Sequence, residues 1–198
     1  MLRLHVTDPD KRSFLFLLGS HRLEGNAETL AREAALQLAP DSTQRWLRLR
    51  DLPLPRFEDH RDLAGHPSEP PVGNERLLLE ATVEATDLVI VSPLYWYAVS
   101  ADTKLYLDHW SAWLRLPEVA FRSRMAGGTL WGITVTSHLD DDSKVDPLIG
   151  TLRNTAEYMG MSWGGTLIGH GDRPGDILAD TDALTAAKSF FGRPVAAL

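Results

Sequence analysis

The chain of 198 residues contains no cysteine. This absence excludes disulfides, thiolate zinc sites, iron–sulfur clusters and cysteine nucleophiles. It also fits a reducing compartment, and we expect the protein to be cytoplasmic. No apolar run approaches the ~18 residues that a membrane-spanning helix needs, so we expect a soluble protein that has no membrane partner.

The chain also has no excess of positive charge. Its formal net charge is −7, and the basic residues are scattered along the sequence instead of being gathered in one region. This distribution argues against nucleic acid as a partner, because phosphate polymers are bound by concentrated basic surfaces. With 43% hydrophobic residues, the composition is that of one ordinary globular domain.

Apolar runs and helical patterns alternate along most of the chain. We expect a loose N-terminal extension over residues 1–12 and a single domain over residues 13–198. The segment 51–72 contains five prolines, which makes it a long connection instead of a helix or central strand. The predicted strands cover residues 13–18, 45–49, 87–92, 129–136 and 162–168, and the predicted helices cover residues 26–38, 74–85, 101–114, 146–159 and 180–191.

This alternation predicts an α/β fold. Strands that are apolar throughout are typical of a parallel sheet covered on both faces, which gives a three-layer sandwich. In such sheets ligands bind beyond the carboxyl ends of the strands. We therefore expect a ligand-binding site in the loops that follow the apolar strands.

The loop after the first strand is rich in residues that can hold an anion. It begins at Gly19 and contains Ser20, Arg22, Gly25 and Asn26, and the next helix begins at its end. Free N–H groups at a helix start bind phosphate well. The sequence lacks the Gly-Lys-Ser/Thr element of a Walker loop and the dinucleotide fingerprint, so a phosphate monoester is the better candidate. An ordinary turn in which Ser20 or Asn26 caps the helix is the alternative.

The loop after the strand at 87–92 carries three adjacent aromatic residues. Pro93 and Leu94 precede Tyr95, Trp96 and Tyr97. Large aromatic side chains in a loop can cover the face of a heterocycle while the backbone meets its polar edge. They can equally pack under a neighbouring loop.

A third loop follows the strand at 129–136. Ser137 and His138 occupy the same end of the predicted sheet as the other two loops, and the aspartates at 140–142 are expected to face solvent. The spacing and glycine of a calcium loop are missing, so we expect no metal site.

Two segments resemble the NAD(P)H-dependent FMN reductase family of the flavodoxin-like superfamily. They are "GSHRLEGNAETLA", against the family's Gly-Ser-x-Arg-x-x-Gly-Asn-Ser/Thr loop, and "SPLYWYAVSADTKLYLDHW", against its Pro-x-Tyr-x-x-x-x-Ser-x-x-x-Lys segment. The resemblance covers most of residues 13–168. It implies a flavodoxin-like five-stranded parallel sheet of order 2-1-3-4-5, with helices on both faces.

The resemblance also implies a cofactor and its site. FMN would be reduced by NADPH or NADH and would pass electrons to a small acceptor such as a quinone, a flavin or a nitro or azo compound. The residues implied are Ser20, Arg22, Gly25, Asn26 and Ala27 at the phosphate, Pro93, Leu94, Tyr95, Trp96 and Tyr97 along the isoalloxazine, and Ser137 and His138 on its other side. No obligatory catalytic acid or base is needed, because the cofactor carries the chemistry. Tyr95 and His138 are the candidates for tuning the flavin or relaying a proton, and the alternative is that each is an ordinary packed or solvated loop residue.

Two departures from the family pattern bear on this assignment. Ala27 stands where a hydroxyl residue is usual, which removes one hydrogen bond to the phosphate. The connection 51–72 lacks the cysteine cluster of the related iron–sulfur flavoproteins, and that electron relay is excluded. A flavodoxin-type single-electron carrier without NAD(P)H turnover remains an alternative function, as does a flavin-free binding module.

The helix predicted at 101–114 carries a stripe of aromatic and aliphatic residues. Tyr106, Trp110, Trp113 and Leu114 recur at helical spacing, which is typical of a face that packs on the core. Because Leu105 and Ala112 are also expected to face the sheet, we expect some of the aromatic residues to be left for a second subunit. A homodimer is therefore predicted, as the resemblance also implies. The sequence does not decide between NADH and NADPH.

Overall fold

The computed structural model describes residues 11–59, 70–137 and 141–195. Within these ranges the chain forms five strands and six α-helices. The strands are β1 (Ser13–Leu18), β2 (Thr43–Arg48), β3 (Asp87–Val91), β4 (Thr129–Thr136) and β5 (Ser162–His170), and the helices are α1 (Asn26–Ala35), α2 (Gly73–Glu84), α3 (Ala101–Trp113), α4 (Phe121–Met125), α5 (Asp146–Met159) and α6 (Thr181–Ala187).

The five strands form one parallel sheet of order β2-β1-β3-β4-β5. This confirms the predicted fold class and strand order. The order reverses between β1 and β3, so the carboxyl ends of these two strands flank the point where a ligand crevice opens in doubly wound sheets. In the register, Leu18 at the end of β1 lies beside Arg48 of β2 on one side and Val91 of β3 on the other.

Each face of the sheet is covered by its own set of helices. Leu15 and Leu17 of β1 pack into a core with α2, α3, α4 and α5, whereas Phe14, Phe16 and Leu18 pack into a core with α1 and α6. Successive side chains of a strand point to opposite faces, so an uninterrupted apolar run supplies both cores.

The aromatic stripe of α3 belongs to the core of this chain. Tyr106, Trp110 and Trp113 are all buried, and their rings form edge-to-face contacts with one another and with Phe121. Leu114 is partly exposed. The expectation that aromatic residues of this stripe are left for a second subunit is therefore wrong. The short helix α4, which supplies Phe121 and was not predicted, completes their burial.

Arg12 is part of the domain, although the sequence placed it in a loose extension. Its guanidinium donates two hydrogen bonds to the buried carboxylate of Asp87 and a third, of 3.0 Å, to the carbonyl of Phe191. It also lies over the ring of Phe14 at 4.6 Å. These contacts attach the beginning of the described chain to its end. Residues 1–10 of the predicted extension lie outside the described residues.

The C-terminal helix is shorter than predicted. The pattern predicted one helix over 180–191, but α6 ends at Ala187 and a 3₁₀ turn over Phe190–Gly192 follows. The break lets Phe190 and Phe191 both pack against Trp131. Among the described residues, no helix combines the length and apolar character needed to cross a bilayer.

Candidate active site

The first loop is fixed to the beginning of α3 by a close approach at Gly19. The Gly19 N–H donates to the carbonyl of Val91 at 2.8 Å. A Cβ at this position would lie 2.1 Å from Oγ1 of Thr103 and 2.8 Å from Oγ of Ser100, so only glycine fits without displacement. Ser100 caps α3 as predicted, accepting from the Thr103 N–H at 3.3 Å. The loops after β1 and β3 are therefore held side by side.

Ser20 and Arg22 form the beginning of the anion-binding candidate. Ser20 is buried, and its hydroxyl oxygen accepts a hydrogen bond from the Arg22 N–H at 3.1 Å. The hydroxyl proton remains available to donate. The Arg22 side chain is exposed and has no hydrogen-bond or ion-pair partner in the part of the chain that the structure describes.

The start of α1 leaves a set of N–H groups unpaired. Gly25 is the N-cap residue and offers no side-chain cap, and the first helical bond runs from the Thr29 N–H to the Gly25 carbonyl at 2.9 Å. Within the described residues, the N–H groups of Asn26, Ala27 and Glu28 have no acceptor. The alternative in which Ser20 or Asn26 caps this helix is therefore wrong. Uncapped first-turn amides suit an anion.

The side chain of Asn26 binds the loop after β5. Its Nδ2 donates to the Arg173 carbonyl at 2.9 Å, and its Oδ1 accepts from the Gly175 N–H at 2.9 Å. Gly171, in the same loop, passes so close that a Cβ there would lie 2.8 Å from Nδ2 of Asn26. The side-chain amide of Asn26 thus positions the loop after β5 beside the start of α1.

Two arginines that the sequence analysis did not select complete the first loop. Arg48, the last residue of β2, contacts the Arg22 carbonyl and the buried carboxylate of Glu28, and Arg50 donates to the His21 carbonyl. Burial by itself would raise the pKa of Glu28, but hydrogen bonds from Arg32 and Arg48 outweigh it and lower that pKa below its ordinary value. The predicted 2-1 strand order was the available signal, since it brings the end of β2 beside this loop.

The aromatic residues form a tight turn that is held open to solvent. Tyr95 and Ala98 exchange two backbone hydrogen bonds of 3.0 and 3.1 Å, and Trp96 and Tyr97 between them have φ of 50° and 64°. Positive φ at both central positions is typical of a type I′ turn and is costly for non-glycine residues. The Trp96 side chain is 94% exposed, so packing under a neighbouring loop does not account for it. Tyr95 and Tyr97 are about half exposed.

A pocket of ≈ 160 Å³ separates this turn from the end of β4. The partly buried Leu94 anchors the turn through its N–H, which lies 3.4 Å from the carbonyl of Val135, and the partly buried Pro93 precedes it. Ser137 is exposed at the opposite wall, and His138 lies outside the described residues. The lining residues are Leu94, Trp96, Tyr97, Thr136 and Ser137. The two loops predicted to enclose a ring therefore meet at one pocket.

Comparison with known proteins agrees with this architecture. The family model described as having a flavodoxin-like fold matches residues 12–189. A relative from Bacillus subtilis (strain 168), whose provisional name is NAD(P)H-dependent FMN-containing oxidoreductase YwqN, is 32% identical over 178 residues, which is 88% of this chain and 94% of the relative.

Two solved structures show the same similarity. The structure of the Trp repressor binding protein from Bacillus subtilis has 28% identity and a TM-score of 0.71, covering 91% of this chain and 99% of that one. An FMN-dependent NADH-azoreductase from Bacillus anthracis str. Ames Ancestor, in complex with FMN, has 13% identity and a TM-score of 0.61, covering 93% of this chain and 99% of that one. At this lower identity the likeness concerns the fold alone.

Proposed function

The chain belongs to the flavodoxin-like fold family, and from this membership and its two loops we propose that it is an FMN-dependent NAD(P)H oxidoreductase. One observation carries the proposal. Uncapped amides at the start of α1 and an open aromatic turn lie beyond the carboxyl ends of neighbouring strands, β1 and β3. A phosphate and a planar ring joined by a short chain need that pair of features.

The first loop fits a phosphate monoester. The backbone N–H groups of Asn26, Ala27 and Glu28 would donate to the phosphate oxygens, and the Ser20 hydroxyl would add a further donor. The unpaired Arg22 guanidinium would supply positive charge from the solvent side. Gly25 leaves the approach clear because it has no side chain.

The second loop fits the isoalloxazine ring. Leu94 with Trp96 and Tyr97 of the turn would form one wall, and Thr136 and Ser137 the other. Tyr95 does not line this pocket and stays a prediction along the ring. Rigid apolar surface on one side and backbone or hydroxyl groups on the other are what a flavin requires. His138 stays a prediction on the second side.

When bound, FMN supplies the redox chemistry, which is hydride acceptance from NAD(P)H and electron transfer to a small acceptor such as a quinone, a flavin or a nitro or azo compound. The residues of the chain bind the phosphate, orient the ring and cover part of its surface. No side chain at the pocket is assigned as an obligatory acid or base.

The test is uptake of FMN followed by turnover. The purified full chain should gain flavin absorption bands after incubation with FMN and gel filtration, and should then oxidise NADH or NADPH in the presence of a quinone. Flavin binding without NAD(P)H oxidation would favour the flavodoxin-type carrier. A protein that refuses FMN would instead be a flavin-free binding module.

A homodimer and a cytoplasmic location stay predictions. The aromatic residues of the α3 stripe, which suggested a dimer, are buried within the chain, so the dimer prediction now depends on the family resemblance. Light scattering of the FMN-loaded protein at micromolar concentration should give twice the chain mass, and a monomer would contradict the prediction.

A further inference from the structure

We propose that Arg48 is a positioning residue for the FMN phosphate, because it braces the backbone of the phosphate loop through the Arg22 carbonyl. This inference rests on the proposed function of that loop. Arg48 lies at the end of β2, where the sheet register pairs it with Leu18, one residue before Gly19. Its side chain is only 14% exposed.

The guanidinium of Arg48 joins the two ends of the loop. One terminal nitrogen lies 3.0 and 2.8 Å from the two carboxylate oxygens of Glu28, in the first turn of α1. The other lies 3.4 Å from the carbonyl oxygen of Arg22, within the loop. A planar group with fixed donors holds both acceptors in one geometry, which a lysine ammonium cannot reproduce.

The contact with Arg48 fixes the orientation of the peptide between Arg22 and Leu23 in the first loop. In a planar trans peptide, the C=O and the following N–H point in opposite directions. Drawing the Arg22 carbonyl toward Arg48 therefore turns the Leu23 N–H away from β2. Arg50 orients the preceding peptide, between His21 and Arg22, by donating to the His21 carbonyl. The N–H of that peptide, on Arg22, donates to Oγ of Ser20. A loop that is already ordered binds an anion more tightly, because binding then carries no further entropic cost of ordering the loop.

The same contacts balance the charge next to the phosphate site. Glu28 is 3% exposed, and its own backbone N–H is among the amides proposed to bind the phosphate, so an unpaired carboxylate on its side chain would repel a dianion. Arg32 also pairs with Glu28, at 2.8 Å, but it reaches over from the solvent and is half exposed. Among the residues that the structure describes, Arg48 is the one that connects Glu28 to the Arg22 carbonyl.

The experiment compares FMN with riboflavin, which has the same ring and no phosphate. Dissociation constants are measured by quenching of flavin fluorescence for the wild type, Arg48→Met, Arg48→Lys and Arg45→Met. Arg45 is the control, since it lies on the same strand, is about half exposed and pairs with Glu84 at 3.6 Å. We expect Arg48→Met to weaken FMN binding tenfold or more and riboflavin binding less than twofold. Arg48→Lys should recover little of the loss, and Arg45→Met should bind both ligands as the wild type does.

Equal weakening of FMN and riboflavin, or FMN binding within twofold of the wild type, would overturn the positioning role. Restored FMN affinity in the double variant Arg48→Met/Glu28→Gln would also overturn it, because Arg48 would then act only by neutralising Glu28. If circular dichroism shows that Arg48→Met does not fold, Arg48→Lys takes its place. A larger loss of FMN affinity than of riboflavin affinity in Arg48→Lys supports the positioning role, and an equal loss overturns it. A wild-type protein that binds riboflavin and FMN equally, or neither, overturns the proposed phosphate site itself and the brace with it.

Discussion

His109 on α3 and Glu75 on α2 form an ion pair inside the protein, with Nδ1 of the imidazole 3.0 Å from Oε1 of the carboxylate. The other ring nitrogen, Nε2, lies 3.0 Å from the carbonyl oxygen of Pro55. Both partners are acceptors, so both ring nitrogens must donate and the imidazole is protonated. Glu75 also accepts from the indole N–H of Trp113 at 2.9 Å. The cluster attaches the proline-rich connection to two helices.

The His109–Glu75 pair makes stability depend on pH. Burial would lower the pKa of His109, but the hydrogen bonds to Glu75 and Pro55 outweigh it and raise that pKa above its ordinary value of 6.5. A raised folded-state pKa gives stability that is fully present below about 6.5 and is lost as pH rises through the folded value. Burial likewise would raise the pKa of Glu75, but His109 and Trp113 lower it, so its contribution is present above 4.5 and is lost as pH falls through the folded value.

His109→Gln should therefore cost about 1–3 kcal/mol of unfolding free energy at pH 6 and distinctly less at pH 9. Urea denaturation of the wild type and the variant at the two pH values measures the difference. An equal loss of unfolding free energy at both pH values would mean that His109 stabilises the protein by its packing and not by its charge.

Gly19 and Gly150 should respond in opposite directions to the same substitution. Gly19→Ala places a methyl group 2.1 Å from the Thr103 hydroxyl oxygen, which forces the first loop away from α3. Gly150 lies inside α5 with open space around its position. Gly150→Ala should raise stability by about 0.5–1 kcal/mol, because alanine loses less backbone entropy in a helix. Gly19→Ala should lower both stability and FMN affinity.

Denaturant midpoints and FMN titrations of these two variants provide the comparison. Wild-type FMN affinity in Gly19→Ala would show that the approach of the first loop to α3 does not shape the phosphate site.

The sequence predicts the sheet well because its signal is local. Residues 14–18 are apolar without interruption, and such a run is buried on both faces wherever it pairs. The Arg12 contacts could not be predicted in this way, since they join residues 75 and 179 positions apart along the chain. The contact of Arg48 with the Arg22 carbonyl depends on how that loop peptide is oriented, and the pattern of side chains in a sequence does not reveal this orientation. Positive φ at Trp96 is likewise invisible, because tryptophan is not a residue that marks such turns.

Trp96→Asn should separate stability from flavin binding. Asparagine tolerates a positive φ far better than tryptophan, so the turn loses about 1 kcal/mol of strain. The indole is almost wholly exposed and contributes little to the core. The variant should melt at or above the wild-type temperature and bind FMN several-fold more weakly, because an aromatic wall of the pocket is gone.

Thermal melting without flavin and an FMN titration measure the two effects. Trp46→Asn is not a suitable control, since that partly buried ring stacks on the core residue Phe16, with ring centroids 3.9 Å apart. Leu178→Asn, at an exposed position that is not part of the pocket lining, tests the general effect of removing a surface apolar side chain. Wild-type FMN affinity in Trp96→Asn would remove this residue from the flavin site.

Ala27→Ser should strengthen FMN binding. Ala27 occupies the first turn of α1, where its own N–H is unpaired and a side-chain hydroxyl would add a donor beside the proposed phosphate. A hydrogen bond to a charged group contributes about 1.5–3 kcal/mol, which corresponds to tenfold or more in the dissociation constant for FMN. Riboflavin lacks the phosphate, so its dissociation constant should stay within twofold, and the ratio of the two constants isolates the new bond from any change in stability. Ala39→Ser, at an exposed position beyond the end of the helix, should change neither constant. If Ala27→Ser improves riboflavin and FMN equally, or improves neither while the protein remains folded, the phosphate does not lie at the start of α1.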